Sequence, residues 1–238
     1  NHVLKGTSNG KKGNVRLRSI LVVLQFTISI VLIIGTLIMY RQLSYMQNKD
    51  LGFDQEEVLV IGRAGTLGDK QLSFKQEVKK IKGVMAVSAS TAIPGRNNNN
   101  NGYTIKGRED ETFLLNTNYV DPDFLNTYGM LLASGEFFAE GVRGDEDGCV
   151  LNQTAVTQYM LEDDPFSARF VMERSDTISY MAVIGVVEDF HHEALSSPIT
   201  PYMFRVRTEE NHWGYISIRM ADDAGTALVD EVEQCWDS

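Results

Sequence analysis

"SILVVLQFTISIVLIIGTLIMYRQL", Ser19 to Leu43, decides how the rest of the chain is read. From Ile20 to Tyr40 stand 21 residues without a charge, and the polar ones are Gln25, Thr27, Ser29 and Thr36. A helix rises roughly 1.5 Å per residue, so the run reaches about 30 Å, the thickness of a bilayer's hydrocarbon core. A secretory signal has an apolar run of about 7–15 residues and a small-residue cleavage site. Here the run is longer, and "MYRQLSYMQ" follows it with no such site. A core helix of a soluble domain shows a polar face, whereas this one is apolar all round. The run reads as a membrane span with its ends at Ile20 and Tyr40.

Charge orients the span. The first 49 residues hold Lys5, Lys11, Lys12, Arg16, Arg18, Arg41 and Lys49 and no acid, a charge of +7. From Asp50 onward 15 basic residues face all 32 acidic ones, a charge of −17 within the total of −10. Positive charge beside a span stays in the cytoplasm, so the N-terminus is expected inside and the acidic bulk outside. An acidic body of this kind does not bind nucleic acid through phosphate contacts. The single span contacts membrane lipid. The chain opens on Asn1 and His2, so a fragment of a longer protein is expected.

Beyond the span the pattern is mixed α/β. "GTSNGKKGN" before it reads as part of a basic cytoplasmic linker over residues 1–18. The helix is expected to run past Tyr40 as a stalk, with Leu43 and Met46 on one side and Gly52 as its stop, so that residues 19–52 form span plus stalk. Residues 53–238 then form the outer domain, with room for two subdomains. "VLVI" (Val58–Ile61) reads as a strand. "KQLSFKQEVKKIKG" reads as a helix, with Phe74, Val78 and Ile81 on one face and Gly83 ending it. "VMAVSAST" completes a β-α-β unit. "IPGRNNNNNG" reads as a loop carrying an asparagine tract. "TFLLNTNYV" is a strand, and "PDFLNTYG" a short helix closed by Gly129. "CVLN" is a strand entering the helix "QTAVTQYML", where Val156, Tyr159 and Met160 share a face. "ISYMAVIGVV" suits a central strand buried on both faces. "YMFRVR" and "YISIRM" alternate as half-buried strands. The closing helix "AGTALVDEVEQCW" puts Leu228, Val232, Cys235 and Trp236 together.

Candidate chemistry is sparse. "GRAGTLGDK" sits between strand and helix, but Leu67 stands where a phosphate loop needs its second glycine and Gln71 where it needs Ser or Thr. "EDFHHEAL" gathers Asp189, His191, His192 and Glu193, yet adjacent residues diverge and no H-x-x-x-H spacing occurs, so a metal centre is not expected. The alternative is a turn after a buried strand, with Asp189 capping and a histidine in local hydrogen bonds. Cys149 and Cys235, 86 residues apart, give no disulfide framework. "GDEDG" and "LEDDP" read as solvated acidic loops, and "NQT" at Asn152 is a glycosylation pattern relevant only in a eukaryotic secretory setting. No residue is expected to be catalytic, and no cofactor is expected.

Several phrases together resemble a known family. They are "VLKG" near the start, "RLRSILVVLQFTISIVLIIGTLIMYRQLSYMQNKDLGFDQEEVLVI" through the span and first strand, "YVDPDFLNTYGM" with "LASGEFF", "VLNQTAV", and "VIGVVEDFHHEALSSPITPYMF". Their order resembles the permease subunits of MacB/FtsX-like ABC transporters. In "DFHH" the chain departs from that family, where an aromatic residue follows the first histidine. The resemblance implies one transmembrane helix with stalk followed by a periplasmic core domain of mixed sheets with flanking helices, in the bacterial inner membrane. It implies a separate ATP-binding subunit, and allows a second permease copy or half and a periplasmic adaptor. Arg41, Leu43, Met46, Leu51, Gly52 and Phe53 would be the coupling element that passes movement outward, for export or mechanotransmission. Two other readings compete: a membrane-anchored sensor with an outer ligand-binding domain, which predicts a cytoplasmic signalling module, and an anchored enzyme, for which His191 is the one visible candidate.

Overall fold

The computed structural model describes residues 9–96, 99–139, 148–174, 177–206, 213–222 and 225–236. It divides into two units, residues 1–49 and 50–238.

The first unit is one helix, α1 (Asn9–Asn48). Arg16–Met46 is long and apolar enough to cross a membrane, and none of its apolar stretch is buried within the protein. A core helix would be buried, so its exposed apolar surface fits lipid as its solvent. Two of its polar side chains are satisfied locally: Thr27 Oγ1 donates to the Val23 carbonyl at 2.9 Å and Thr36 Oγ1 to the Leu32 carbonyl at 2.8 Å. The helix begins at Asn9, inside the stretch read as linker, because propagating an existing helix gains a hydrogen bond per residue added. It ends at Asn48 rather than at Gly52. Beyond it the Asp50 side chain accepts the Gly52 N–H at 2.9 Å, a local turn that competes with further helix.

The second unit is mixed α+β, built among its described residues on one sheet of ten strands. Strands β1 (Val58–Gly62), β10 (Tyr215–Met220) and β2 (Val84–Ser90) lie side by side, each antiparallel to its neighbour. Thus β1 and β2 run parallel with β10 inserted between them, and the β-α-β reading holds with that insertion. Helices α2 (Gln71–Val78) and α5 (Gly225–Trp236) cover this layer. Phe74, Val78, Val87, Ile216, Ile218, Leu228 and Val232 form its core, with Phe74 edge-on to Trp236 at 5.4 Å. α2 stops at Val78, short of Ile81, and the glycine-rich stretch before it is a 3-10 turn (Ala64–Lys70).

Six further strands close on themselves. β4 (Arg108–Val120), β3 (Asn99–Ile105), β7 (Arg169–Arg174), β8 (Thr177–Val187), β6 (Cys149–Asn152) and β9 (Tyr202–Val206) pair in that order, and β9 returns to β4. The closure is narrow between β3 and β7, where Thr104 and Ile105 pair with Val171 and Phe170. Phe113, Leu115, Cys149, Leu151, Phe170, Met181 and Met203 fill one core, to which α4 (Gln153–Gln158) adds Ala155 and Val156. Side chains alternate along a strand: β9 gives Met203 to that core, while Tyr202, Phe204 and Val206 face a second one. There they meet α3 (Phe124–Tyr128) and Phe190. β5 (Leu132–Gly135) pairs with β8.

Four further readings of the sequence need correction. Asn99–Asn101 of the asparagine tract are strand, registered against Leu115–Thr117, because a ladder is made by backbone whatever the side chains; Asn97 and Asn98 lie outside the described residues. Met160 does not share the buried face of Val156 and Tyr159. It sits just past the helix at φ +57 and is 80% exposed. β8 is buried on both faces only in its second half, since Ile178 is 62% exposed. β9 is buried along its whole length rather than on one face, because both cores need it. β5 and β7 are elements that the sequence reading passed over, whereas the glycine-rich stretch between β1 and α2 is the turn expected of it.

Candidate functional site

The site is built where the chain enters its folded domain. Leu51, Gly52 and Phe53 lie against Asp189, Phe190 and His191, so two stretches singled out separately in the sequence meet. The Leu51 carbonyl accepts the His191 N–H at 2.8 Å. Gly52 adopts φ +74, a left-handed conformation that glycine takes without a Cβ penalty. A Cβ on Gly52 would stand 2.4 Å from the Asp189 carbonyl oxygen and 2.8 Å from the Phe190 Cα. Both atoms are backbone and cannot rotate away. Gly52 therefore allows two main chains to touch, a different task from ending the helix.

Phe53 packs against the second core, edge-on to Tyr128 at 6.2 Å. The next residue continues the attachment. Asp54 N–H donates to the Tyr128 carbonyl at 2.7 Å, and the Asp54 carboxylate pairs with Arg219 at 2.7 Å on the surface.

The opposing segment is held from behind. Asp189 accepts the Thr154 N–H at 2.8 Å and the Thr154 hydroxyl at 2.7 Å, so it caps the first turn of α4. Asn152, the N-cap of that helix, accepts both the Ala155 N–H at 3.0 Å and the Tyr202 N–H at 2.9 Å, and donates to the Thr200 carbonyl at 3.1 Å. Phe190 stacks on Phe204 at 5.6 Å and meets Tyr202 edge-on at 4.9 Å. His192, 1% exposed, places Nε2 at 3.2 Å from Asn116 Nδ2 and 3.0 Å from Thr200 Oγ1. Burial lowers its pKa from 6.5, against the opposing pull of the Glu193 charge, so the imidazole is neutral at pH 7. Asp189 thus caps, as the alternative reading of "EDFHH" expected. The His192 partners, however, are distant in sequence rather than local, and only the closed sheet brings them together.

The other candidates separate. Ile20, Tyr40, Arg41, Leu43 and Met46 lie on α1, in the first unit, while Leu51, Gly52 and Phe53 belong to the second. Cys149 is buried in the strand core and Cys235 is half-buried on α5, and no disulfide joins them. Burial raises the Cys149 pKa to about 12. In "LEDDP" Asp164 caps a 3-10 turn (Pro165–Ser167) through the Phe166 N–H, and residues 144–147 of "GDEDG" lie outside the described residues. An ionic cluster, missed in the sequence, joins the two layers: Lys75 Nζ lies 2.5 Å from Asp121 and 2.8 Å from Asp123, and Lys79 lies 2.6 Å from Asp123.

A family model for the MacB-like periplasmic core domain matches residues 19–234. The chain belongs to that family. The fold agrees with it. The periplasmic region of MacB from Actinobacillus actinomycetemcomitans superposes with a TM-score of 0.53 at 14% identity, covering 76% of this chain and 81% of that one. The extracellular domain of the noncanonic ABC-type transporter YknZ from Gram-positive bacteria gives 0.43 at 12% identity, covering 68% and 76%. Of these two, the MacB structure carries the fold comparison. No curated protein sequence matches the chain. The MacB-like domain here stands behind an apolar helix, the arrangement of an inner-membrane protein with its folded part in the periplasm. Its family is that of the periplasmic domains of ABC transporter permease-type proteins.

Proposed function

We propose that this chain relays movement from a partner ATPase in the cytoplasm to the periplasm. In this reading the partner binds and hydrolyses ATP. The span from Ile20 to Tyr40 carries the resulting movement, and Arg41 to Phe53 pass it into the folded domain. The periplasmic side begins near residue 41. The same reading gives the chain a second permease copy or half, and a periplasmic adaptor, as further partners, with the outcome being export or mechanotransmission.

One observation supports this reading above the others. The entry segment is locked to the domain by backbone: a left-handed Gly52 pressed against Asp189 and Phe190, with His191 bonded to Leu51. A lever must be attached firmly to what it moves. Backbone contact is a stiffer attachment than side chains, which sample rotamers.

The test uses the permease assembled with its ATPase in proteoliposomes. A fluorophore attached at Met160→Cys, on the exposed surface, reports movement of the domain on addition of ATP. Gly52→Ala should keep ATP turnover within about twofold and reduce the ATP-dependent signal about tenfold. A signal that survives unchanged, while the His191 amide loses its protection from exchange, would overturn the proposed role of the attachment.

A further inference from the structure

A cavity of about 480 Å³ opens between β3, β4, α4 and the segment that follows Asp189. Its volume falls within the range of small-molecule sites, about 300–1,000 Å³. The wall carries the carboxamides of Asn100 and Gln158, the carboxylate of Glu193 and the hydroxyl of Thr200, with Leu114 and Pro201 as apolar surface. None of the described lining residues bears a positive charge. An anionic ligand would find no countercharge there and would meet Glu193.

The donors and acceptors are mixed. Each carboxamide offers an N–H₂ donor and a carbonyl acceptor in one plane, the carboxylate only accepts, and the hydroxyl, already bonded to Asn116 and His192, keeps one position for a ligand. An ammonium ligand would use the acceptors and leave the amide donors unmatched. A ligand hydroxyl donates and accepts, so a polyol can match both kinds at once. The Leu114 and Pro201 surfaces suit the C–H face of a sugar ring.

The base of the cavity is fixed in advance. Asn116, which is buried, donates from Nδ2 to Thr200 Oγ1 at 2.9 Å and holds His192 at 3.2 Å. Tyr159 donates its hydroxyl to the Leu114 carbonyl, holding that wall. Groups locked before a ligand arrives lose little freedom when it binds.

We propose that this cavity binds an uncharged saccharide, through Asn100, Gln158, Glu193 and Thr200. The proposal is independent of the relay of ATP-driven movement. It is tested on the whole chain in nanodiscs, by calorimetry and saturation-transfer NMR. The probes are N-acetylglucosamine, chitobiose and maltose, with spermidine and glucose 6-phosphate as charged counterparts. At least one neutral saccharide should bind with a dissociation constant of about 1 mM or tighter. Asn100→Ala and Gln158→Ala, both at exposed positions, should each weaken it roughly threefold to tenfold. Glucose 6-phosphate should bind more weakly than the neutral sugars. No binding of any neutral probe at about 10 mM overturns the proposal. So does binding of spermidine alone, or saccharide binding that both variants leave unchanged.

Discussion

Gly52→Ala should loosen the entry segment far more than its single added methyl suggests. The first cost is conformational. At φ +74 an L-residue loses about 1–2 kcal/mol against glycine. The second is steric. The new Cβ would lie 2.4 Å from the Asp189 carbonyl oxygen and 2.8 Å from the Phe190 Cα, so the two backbones must part. Forcing extra carbon into a packed site typically costs about 1–3 kcal/mol. The two together come to about 2–5 kcal/mol. For a domain of this size that lowers the melting temperature by roughly 4–20 °C. Gly107→Ala is the control, because Gly107 also has a positive φ (+86) but nothing lies within 4 Å of its added carbon. It should show the conformational cost alone. Hydrogen exchange locates the effect: the His191 amide, bonded to Leu51, should lose protection at least about thirtyfold in Gly52→Ala and keep it in Gly107→Ala. Equal losses of stability in the two variants, with His191 still protected, would refute the reasoning.

Three further outcomes are expected. Lys75→Met should destabilise the domain by about 3–5 kcal/mol, since it leaves the buried Asp121 carboxylate without its cation; a denaturant melt checks this, and a cost below about 1 kcal/mol contradicts it. Burial holds His192 below 6.5, so the unfolded chain takes up a proton that the folded one resists. Stability should be indifferent to this group above pH 6.5 and fall as the pH drops below it, until the folded imidazole also protonates; His192→Gln should remove that slope from melts run between about pH 4.5 and 7.5. Asn152→Ala removes the cap of α4 and leaves the Tyr202 N–H buried without its acceptor, at a cost of about 2–4 kcal/mol by the same melt.

How far the sequence revealed all this depends on which force decides each element. The span was legible because lipid imposes one requirement, an uncharged run of sufficient length, and Ile20–Tyr40 meets it. Val58–Ile61, Cys149–Asn152 and the closing helix were legible because their apolar spacing matches their burial. Asn99–Asn101 were not, since polar side chains hide a strand whose partner, β4, supplies the pairing. Nor were β5 and β7, which are strands by virtue of their pairing with β8. The Gly52 attachment was half legible. Gly52 was marked as special and "DFHH" as unusual, but the spacing of 137 residues between Gly52 and Asp189 carries no signal that they touch. His192 shows the same limit, since its partners Asn116 and Thr200 come from β4 and from the segment entering β9.

Everything rests on α1 crossing the membrane and leaving the domain outside. Met160 is exposed on the folded domain, while the native thiols are Cys149, which is buried, and Cys235. Met160→Cys in a Cys149→Ala, Cys235→Ser background therefore offers one reporter. A membrane-impermeant maleimide applied to intact spheroplasts should label it fully, with no gain on lysis. Labelling that appears only after the membrane is broken would contradict the claim.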